Sequence, residues 1–185
     1  MSAIERYRIN EIFASVQGEG YWTGTAVVFV RFAFCNLHCP FCDTDFSDYT
    51  EMTIDEILAE VNRYAPQTIV LTGGEPALQV NIQLIDALHA AGKRIHIETN
   101  GTRSLPPTID WVTLSPKDAP TVIEYFDELK VVFEGQNLEQ YDRYVCSNRF
   151  LQPCSNLNIQ KTFEAVLANP QWRLSLQTHK LIGVR

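Results

Sequence analysis

Residues 25–44, TAVVFVRFAFCNLHCPFCDT, carry the reading on which the fold turns. The first half is a run of β-branched and aromatic residues broken only by Arg31, and it predicts a strand over 25–34. The second half places Cys35, Cys39 and Cys42 in a C-x₃-C-x₂-C spacing. Asn36 favours a turn and Pro40 stops any helix, so the thiols ride on a loop at the strand's end. Three close thiolates can ligate three irons of a 4Fe–4S cube that normally takes four ligands, which leaves one iron open to a small molecule. Competing readings stay open at this point. A zinc site wants a fourth ligand, and only His38 is near. Disulfides fit poorly, because Cys146 and Cys154 bring the cysteine total to five, an odd number. Inert buried thiols seldom cluster in this way.

Working outward, short runs of apolar and β-branched residues predict further strands over 68–72, 94–99, 111–115, 129–133, 150–152 and 172–177. Helices are expected between several of them. Thr53-Ile-Asp-Glu56 reads as a capping box, residues 78–91 have apolar residues at helical spacing before Gly92, and residues 157–168 form a third candidate. The link 101–110, with Pro106 and Pro107, is too broken for a full helix. Alternating strands and helices imply a parallel sheet with right-handed crossovers. About six parallel strands with few helices are too few to close an eight-stranded barrel, so the expectation is an α/β fold, an open, partial TIM-like (β/α) barrel. It would form a single domain over residues 1–185.

At 185 residues the chain can bury about 70% of its unfolded surface, enough for a real core. A net charge of −7 argues against a broad basic face, so no nucleic-acid partner is expected. The start, MSAIERYRINEIF, lacks the apolar core of a signal peptide, and no run approaches membrane-spanning length. The expected location is therefore the cytoplasm, with no membrane partner.

Ligand sites in such folds gather at the C-terminal ends of strands. The polar motifs stand where predicted strands end: Cys35 after the first, Thr72-Gly-Gly-Glu-Pro76 after the second, Glu98-Thr-Asn-Gly101 after the third, and Ser115-Pro-Lys117 after the fourth. Gln152-Pro153 and Gln177-Thr-His-Lys180 follow the same rule. Gly73 and Gly74 would let the backbone approach a ligand without a Cβ in the way. Arg31 shares a strand face with Val27, Phe29 and Ala33. A charge there needs a partner, either one of the 22 acidic residues or a ligand carboxylate held bidentately by the guanidinium.

The triad's spacing is the signature of radical S-adenosylmethionine (SAM) enzymes, and TGGEP resembles the GGE motif with which they hold SAM's amino group. Joined with Gln17-Gly-Glu-Gly20, the CDT of residues 42–44, SPK, LQP and QTHK, it makes the chain resemble the 7-carboxy-7-deazaguanine synthase family from about Asn10 onward. That resemblance implies a homodimer converting 6-carboxy-5,6,7,8-tetrahydropterin to 7-carboxy-7-deazaguanine with loss of ammonia. The reaction runs through a 5′-deoxyadenosyl radical, with a donor such as flavodoxin supplying the electron. Carried over by position, Cys35, Cys39 and Cys42 hold the 4Fe–4S cluster. Phe41, Cys42, Asp43, Gly74, Ser115, Pro116, Lys117 and the stretch Gln152, Pro153, Cys154, Ser155 border SAM. Val16, Gln17, Gly18, Arg31 and Thr72 bind the pterin, which the chain end at Arg185 also reaches, and Glu19 and Arg31 take part in the chemistry. Thr44 places its hydroxyl on a Mg²⁺ that also meets the substrate, an oxygen ligand that Mg²⁺ favours; without the resemblance it reads as a turn hydroxyl. Two further functions stay in view: a glycyl-radical activase on the same scaffold, and a zinc-stabilised interaction module. Cys146 and Cys154 read as ordinary thiols, His96 as a strand residue, and Gln177, His179 and Lys180 as a closing strand edge or a polar tail.

Overall fold

The computed structural model describes residues 6–45 and 47–185. Its strands are β1 (Tyr7–Val16), β2 (Ala26–Phe32), β3 (Thr50–Met52), β4 (Thr68–Gly73), β5 (Arg94–Thr99), β6 (Trp111–Leu114), β7 (Glu128–Phe133), β8 (Asn148–Pro153) and β9 (Arg173–Leu174). They form one sheet in the order β3-β1-β2-β4-β5-β6-β7-β8-β9. All neighbours from β2 to β9 are parallel, and β1 and β3 run antiparallel along one edge. The helices are α1 (Ile54–Val61), α2 (Ile82–Ala90), α3 (Ile159–Ala168) and α4 (Thr178–Ile182). The result is an incomplete (β/α) barrel, and the segments expected as strands are its parallel ones.

Each parallel strand sends alternate residues to opposite faces. Val28, Val30 and Phe32 of β2, Ile69 and Leu71 of β4, and Ile95 and Ile97 of β5 meet α1 and α2 in one core, through residues such as Ile57, Val61, Leu84 and Leu88. A second core joins Leu129, Val131 and Phe133 of β7 with Leu151 and Trp172, with α3 packed against it. The remaining parity faces inward and is free to be polar.

The antiparallel edge was not expected, because β1 does not alternate cleanly. A register shift between Ile9 and Glu11 marks a bulge. Before it, Tyr7 and Ile9 join the core; after it, Ile12 does, while Phe13 lines the concave side. A bulge reverses which parity faces inward, and this one brings Glu11 and Phe13 toward the site. The predicted helix ends also shift. The capping box forms as read: Thr53 Oγ1 accepts from Glu56 N (3.2 Å) and Glu56 Oε2 from Thr53 N (2.7 Å). The helix expected over 78–91 starts only at Ile82, because Asn81 Oδ1 caps Leu84 N (3.0 Å) and Pro76–Leu78 is a separate 3₁₀ turn. The last strand stops at Leu174 rather than residue 177, and Thr178–Ile182 winds into α4. Among the described residues no helix is long and apolar enough to cross a membrane.

Candidate active site

The inward parity delivers one polar side chain from each of five strands to a common cavity: Arg31 (β2), Thr72 (β4), Glu98 (β5), Lys130 (β7) and Gln152 (β8). Together with the three cysteines they line an open cavity of about 340 Å³. Glu98 is the hub of its floor. Its Oε1 accepts from Gln17 Nε2 (3.1 Å) and Lys130 Nζ (3.4 Å), and its Oε2 from Thr72 Oγ1 (3.0 Å). Lys130 also makes a tight ion pair with Glu19, whose other oxygen accepts from Gln177 Nε2 (2.8 Å). The Lys130 side chain is 6% exposed and that of Glu19 13%, so both charges have left water. Burial disfavours each charge, yet the partners outweigh it: the Glu19 carboxyl lies below its ordinary range and the Lys130 ammonium above its own.

Arg31 Nε donates to Glu11 Oε1 (2.9 Å), while its two Nη groups make no hydrogen bond among the described residues. Glu11 also pairs with Arg185, whose guanidinium lies 4.6 Å from the Phe13 ring centre. The internal ion pair and a free guanidinium edge thus coexist. Asp43 accepts from Lys180 Nζ (2.5 Å) and Gln177 Nε2 (3.3 Å), and against the opposing effect of burial these contacts hold its carboxyl below the usual range. The QTHK segment is therefore neither a strand edge nor a loose tail: it clamps Glu19 and Asp43 from α4.

The Gly-Gly pair lines the cavity and also admits a close approach within the fold. A Cβ on Gly74 would lie 1.9 Å from Phe34 O, and one on Gly73 2.2 Å from Phe32 O, so what approaches closely is the protein's own backbone. Gly74 N and Glu75 N donate to Phe32 O (3.0 Å) and Phe34 O (2.8 Å), stitching the end of β4 to the entry of the cysteine loop. Phe34 turns with a left-handed φ of 70°, which ends β2 and redirects the chain into Cys35. Leu37 N–H then points at Cys35 Sγ (3.4 Å), and Cys42 N donates to Cys39 O (3.1 Å). Three soft thiol donors on one such loop, with an N–H directed at sulfur, fit a 4Fe–4S cluster. On the same wall Lys117 Nζ donates to Ser115 Oγ (2.9 Å) and stands 5.3 Å from the Phe41 ring centre. Burial pushes the Lys117 ammonium below its ordinary value, and nearby Lys130 adds to the effect.

Below the floor, Tyr21 and Trp22 of the β1–β2 turn plug the barrel. The Trp22 ring packs 5.1 Å from His96 and 5.4 Å from Trp111, centre to centre. Burial, together with adjacent Arg94, drops the His96 imidazole to about 4, so this histidine is neutral packing. Glu128 sits here with its carboxylate against Gly20 and accepts from Tyr21 N (3.1 Å). Burial pushes its pKa up to about 7, which Lys130 and the Tyr21 N–H only partly oppose. A carboxyl whose folded pKa exceeds its unfolded value supports folding below the unfolded pKa and loses that contribution as pH rises through the folded one. Glu128→Gln is therefore expected to melt close to the parent at pH 5 and above it at pH 8. Thermal unfolding across that range checks this; a gap that shrinks with rising pH contradicts it.

Most residues named from sequence converge on the cavity: Val16, Gln17, Glu19, Arg31, Cys35, Cys39, Phe41, Cys42, Asp43, Thr44, Thr72, Gly74, Ser115, Lys117, the run from Gln152 to Ser155, and Arg185. Two stand outside it. Gly18 O accepts from Thr178 N (2.9 Å) and Oγ1 (3.0 Å), and a Cβ there would strike His179, so the glycine seats α4. Pro116 instead lines a neighbouring hollow with Cys39 and Tyr141. Cys146 lies elsewhere, its thiol bonded to Asp127 O (3.3 Å). Glu11, Lys130 and the hub role of Glu98 escaped the sequence reading. Lys130 had a legible signal, a charge in an expected strand at the parity of Val132.

A parallel partial barrel with a cysteine triad at its mouth defines a class of cluster-dependent enzymes, and the Radical SAM superfamily model matches residues 29–168. A 7-carboxy-7-deazaguanine synthase of Bacteroides thetaiotaomicron is 56% identical over 96% of this chain and 98% of its own length. One from Neisseria meningitidis is 39% identical over 97% and 94%. The crystal structure of QueE from Escherichia coli superposes with a TM-score of 0.78 at 29% identity, over 92% of this chain and 93% of that one. The chain belongs to the radical SAM superfamily and, within it, to the 7-carboxy-7-deazaguanine synthase family.

Proposed function

We propose that this chain, acting as one domain, converts 6-carboxy-5,6,7,8-tetrahydropterin to 7-carboxy-7-deazaguanine with release of ammonia. One observation carries the reading: the cysteine triad and the Gln17–Thr72–Glu98–Lys130 floor face the same cavity, in a chain so similar to named synthases. Cys35, Cys39 and Cys42 would hold the cluster, which with bound SAM supplies the one-electron chemistry. The protein's own groups bind and orient. Arg31 presents a free guanidinium edge suited to the pterin carboxylate. On the floor, Glu19 and Glu98 outnumber Lys130, which leaves negative charge toward a ring edge rich in N–H donors. Gln177 Oε1, buried and without a hydrogen-bond partner among the described residues, is a further acceptor for such an edge. Val16 and Arg185 flank the pterin. Phe41, Asp43, Gly74, Ser115, Lys117 and the Gln152–Ser155 turn border SAM. The Thr44 hydroxyl makes no hydrogen bond among the described residues and is the oxygen offered to Mg²⁺. A homodimer, a flavodoxin-like donor and a cytoplasmic setting complete the proposal.

The test is anaerobic reconstitution followed by incubation with SAM, reductant, Mg²⁺ and the carboxytetrahydropterin. The expected result is the deazaguanine product mass, lost in Cys35→Ala, Cys39→Ala or Cys42→Ala along with adenosyl cleavage. SAM cleavage without that product supports the activase instead. One zinc per chain with no iron or sulfide supports the interaction module.

A further inference from the structure

The Glu98-Thr-Asn-Gly101 motif supplies more than Glu98. Asn100 is 7% exposed and faces the cysteine loop. Its Oδ1 accepts from Thr102 N (2.9 Å) and Thr102 Oγ1 (2.7 Å). A backbone N–H can only donate, so the amide cannot be flipped and its NH₂ must point the other way. There Nδ2 donates to Asn36 Oδ1 (3.2 Å) and reaches Cys35 Sγ at 4.0 Å. Asn36 closes the ring by donating to Thr102 Oγ1 (2.8 Å).

The motif after β4 holds this amide from behind. Glu75, 1% exposed, accepts from Asn100 N (2.7 Å), Thr99 Oγ1 (2.7 Å) and Ala77 N (3.0 Å). Two of these three donors belong to the Thr99–Asn100 pair. Two motifs that look independent in sequence thus form one buried support behind a single thiol.

We propose that Asn100 is a positioning residue for the cluster: its amide N–H hydrogen-bonds the Cys35 thiolate, fixing that ligand's direction and drawing off part of its negative charge. This rests on the reading of the triad as cluster ligands. Hydrogen bonds to ligand sulfur stabilise the more negative, reduced cluster and raise its potential. Outer-shell partners of metal ligands also govern retention of the metal.

The experiment uses anaerobically reconstituted protein without SAM or pterin, comparing the parent with Asn100→Leu and Asn100→Asp. Both variants remove the donor, and the second preserves shape and the Thr102 hydrogen bonds, so it carries the test if the leucine protein fails to fold. Potentiometric titration followed by electron paramagnetic resonance is expected to place both midpoints more negative than the parent's. Iron loss to a chelator is expected to be about 10-fold faster. Unchanged midpoints in variants that hold a full cluster overturn the proposal and leave the triad intact. A parent that assembles no cluster overturns the triad reading, and this proposal with it.

Discussion

Replacing Lys130 by methionine is expected to lower stability by about 3–5 kcal/mol at neutral pH, because it strands buried carboxylates without their cation. For a chain of this length that corresponds to a fall of roughly 10 °C in melting temperature. The loss should depend on pH, and its sign can be worked out. In the parent, Glu19 is held below its ordinary value, so its contribution is present above the unfolded pKa and is lost as pH falls. Without Lys130, burial, the largest influence on this carboxyl, is opposed only by the Gln177 hydrogen bond and nearby His179 and raises that pKa, so the variant is penalised progressively as pH rises. The gap between parent and variant should therefore widen from pH 5 to pH 7.5 in denaturant titrations. Glu19→Gln added to the methionine variant should recover part of the stability. Equal stability of parent and variant at pH 7.5 would remove the floor described above.

Gly74→Ala is expected to cost about 3 kcal/mol and to displace the cysteine loop. The added Cβ would meet Phe34 O at 1.9 Å and Phe34 C at 2.3 Å, both backbone atoms that cannot swing aside. Relief requires breaking the Gly74–Phe32 and Glu75–Phe34 hydrogen bonds, which shifts Cys35 from the donors that face it. Lower iron content per folded chain should accompany the stability loss. Gly24→Ala is the contrast: its Cβ meets nothing within 4 Å, and only its φ of 88° resists, so a cost of about 1 kcal/mol and a normal iron content are expected. Equal iron content in both variants would mean that the stitch between β4 and the loop does not govern the triad.

Much of the site was legible because its residues sit at the ends of strands whose apolar runs are unambiguous. Cys35, Thr72, Ser115 and Gln152 follow from that rule alone. Glu11 did not follow, since the bulge after Ile9 reverses parity and hides both β1 and the inward direction of its carboxylate. Gln177 and Lys180 were seen as polar but could not be assigned, because a five-residue helix packed on Gly18 leaves little periodicity to read. The Gly-Gly pair was read only in part for a related reason. Two glycines announce a close approach without naming what approaches.

From sequence alone came the parallel βα order, the open barrel and the loop carrying three thiols, since each rests on local spacing, capping and side-chain alternation. Tertiary structure alone decided which charges meet: Lys130 with Glu19 across 111 residues, Arg31 with Glu11, Asn100 with the loop at Cys35. Coulombic and hydrogen-bond partners are chosen by distance in space, to which separation along the chain is blind. Only folding brings strand ends close enough for one ammonium to answer two carboxylates.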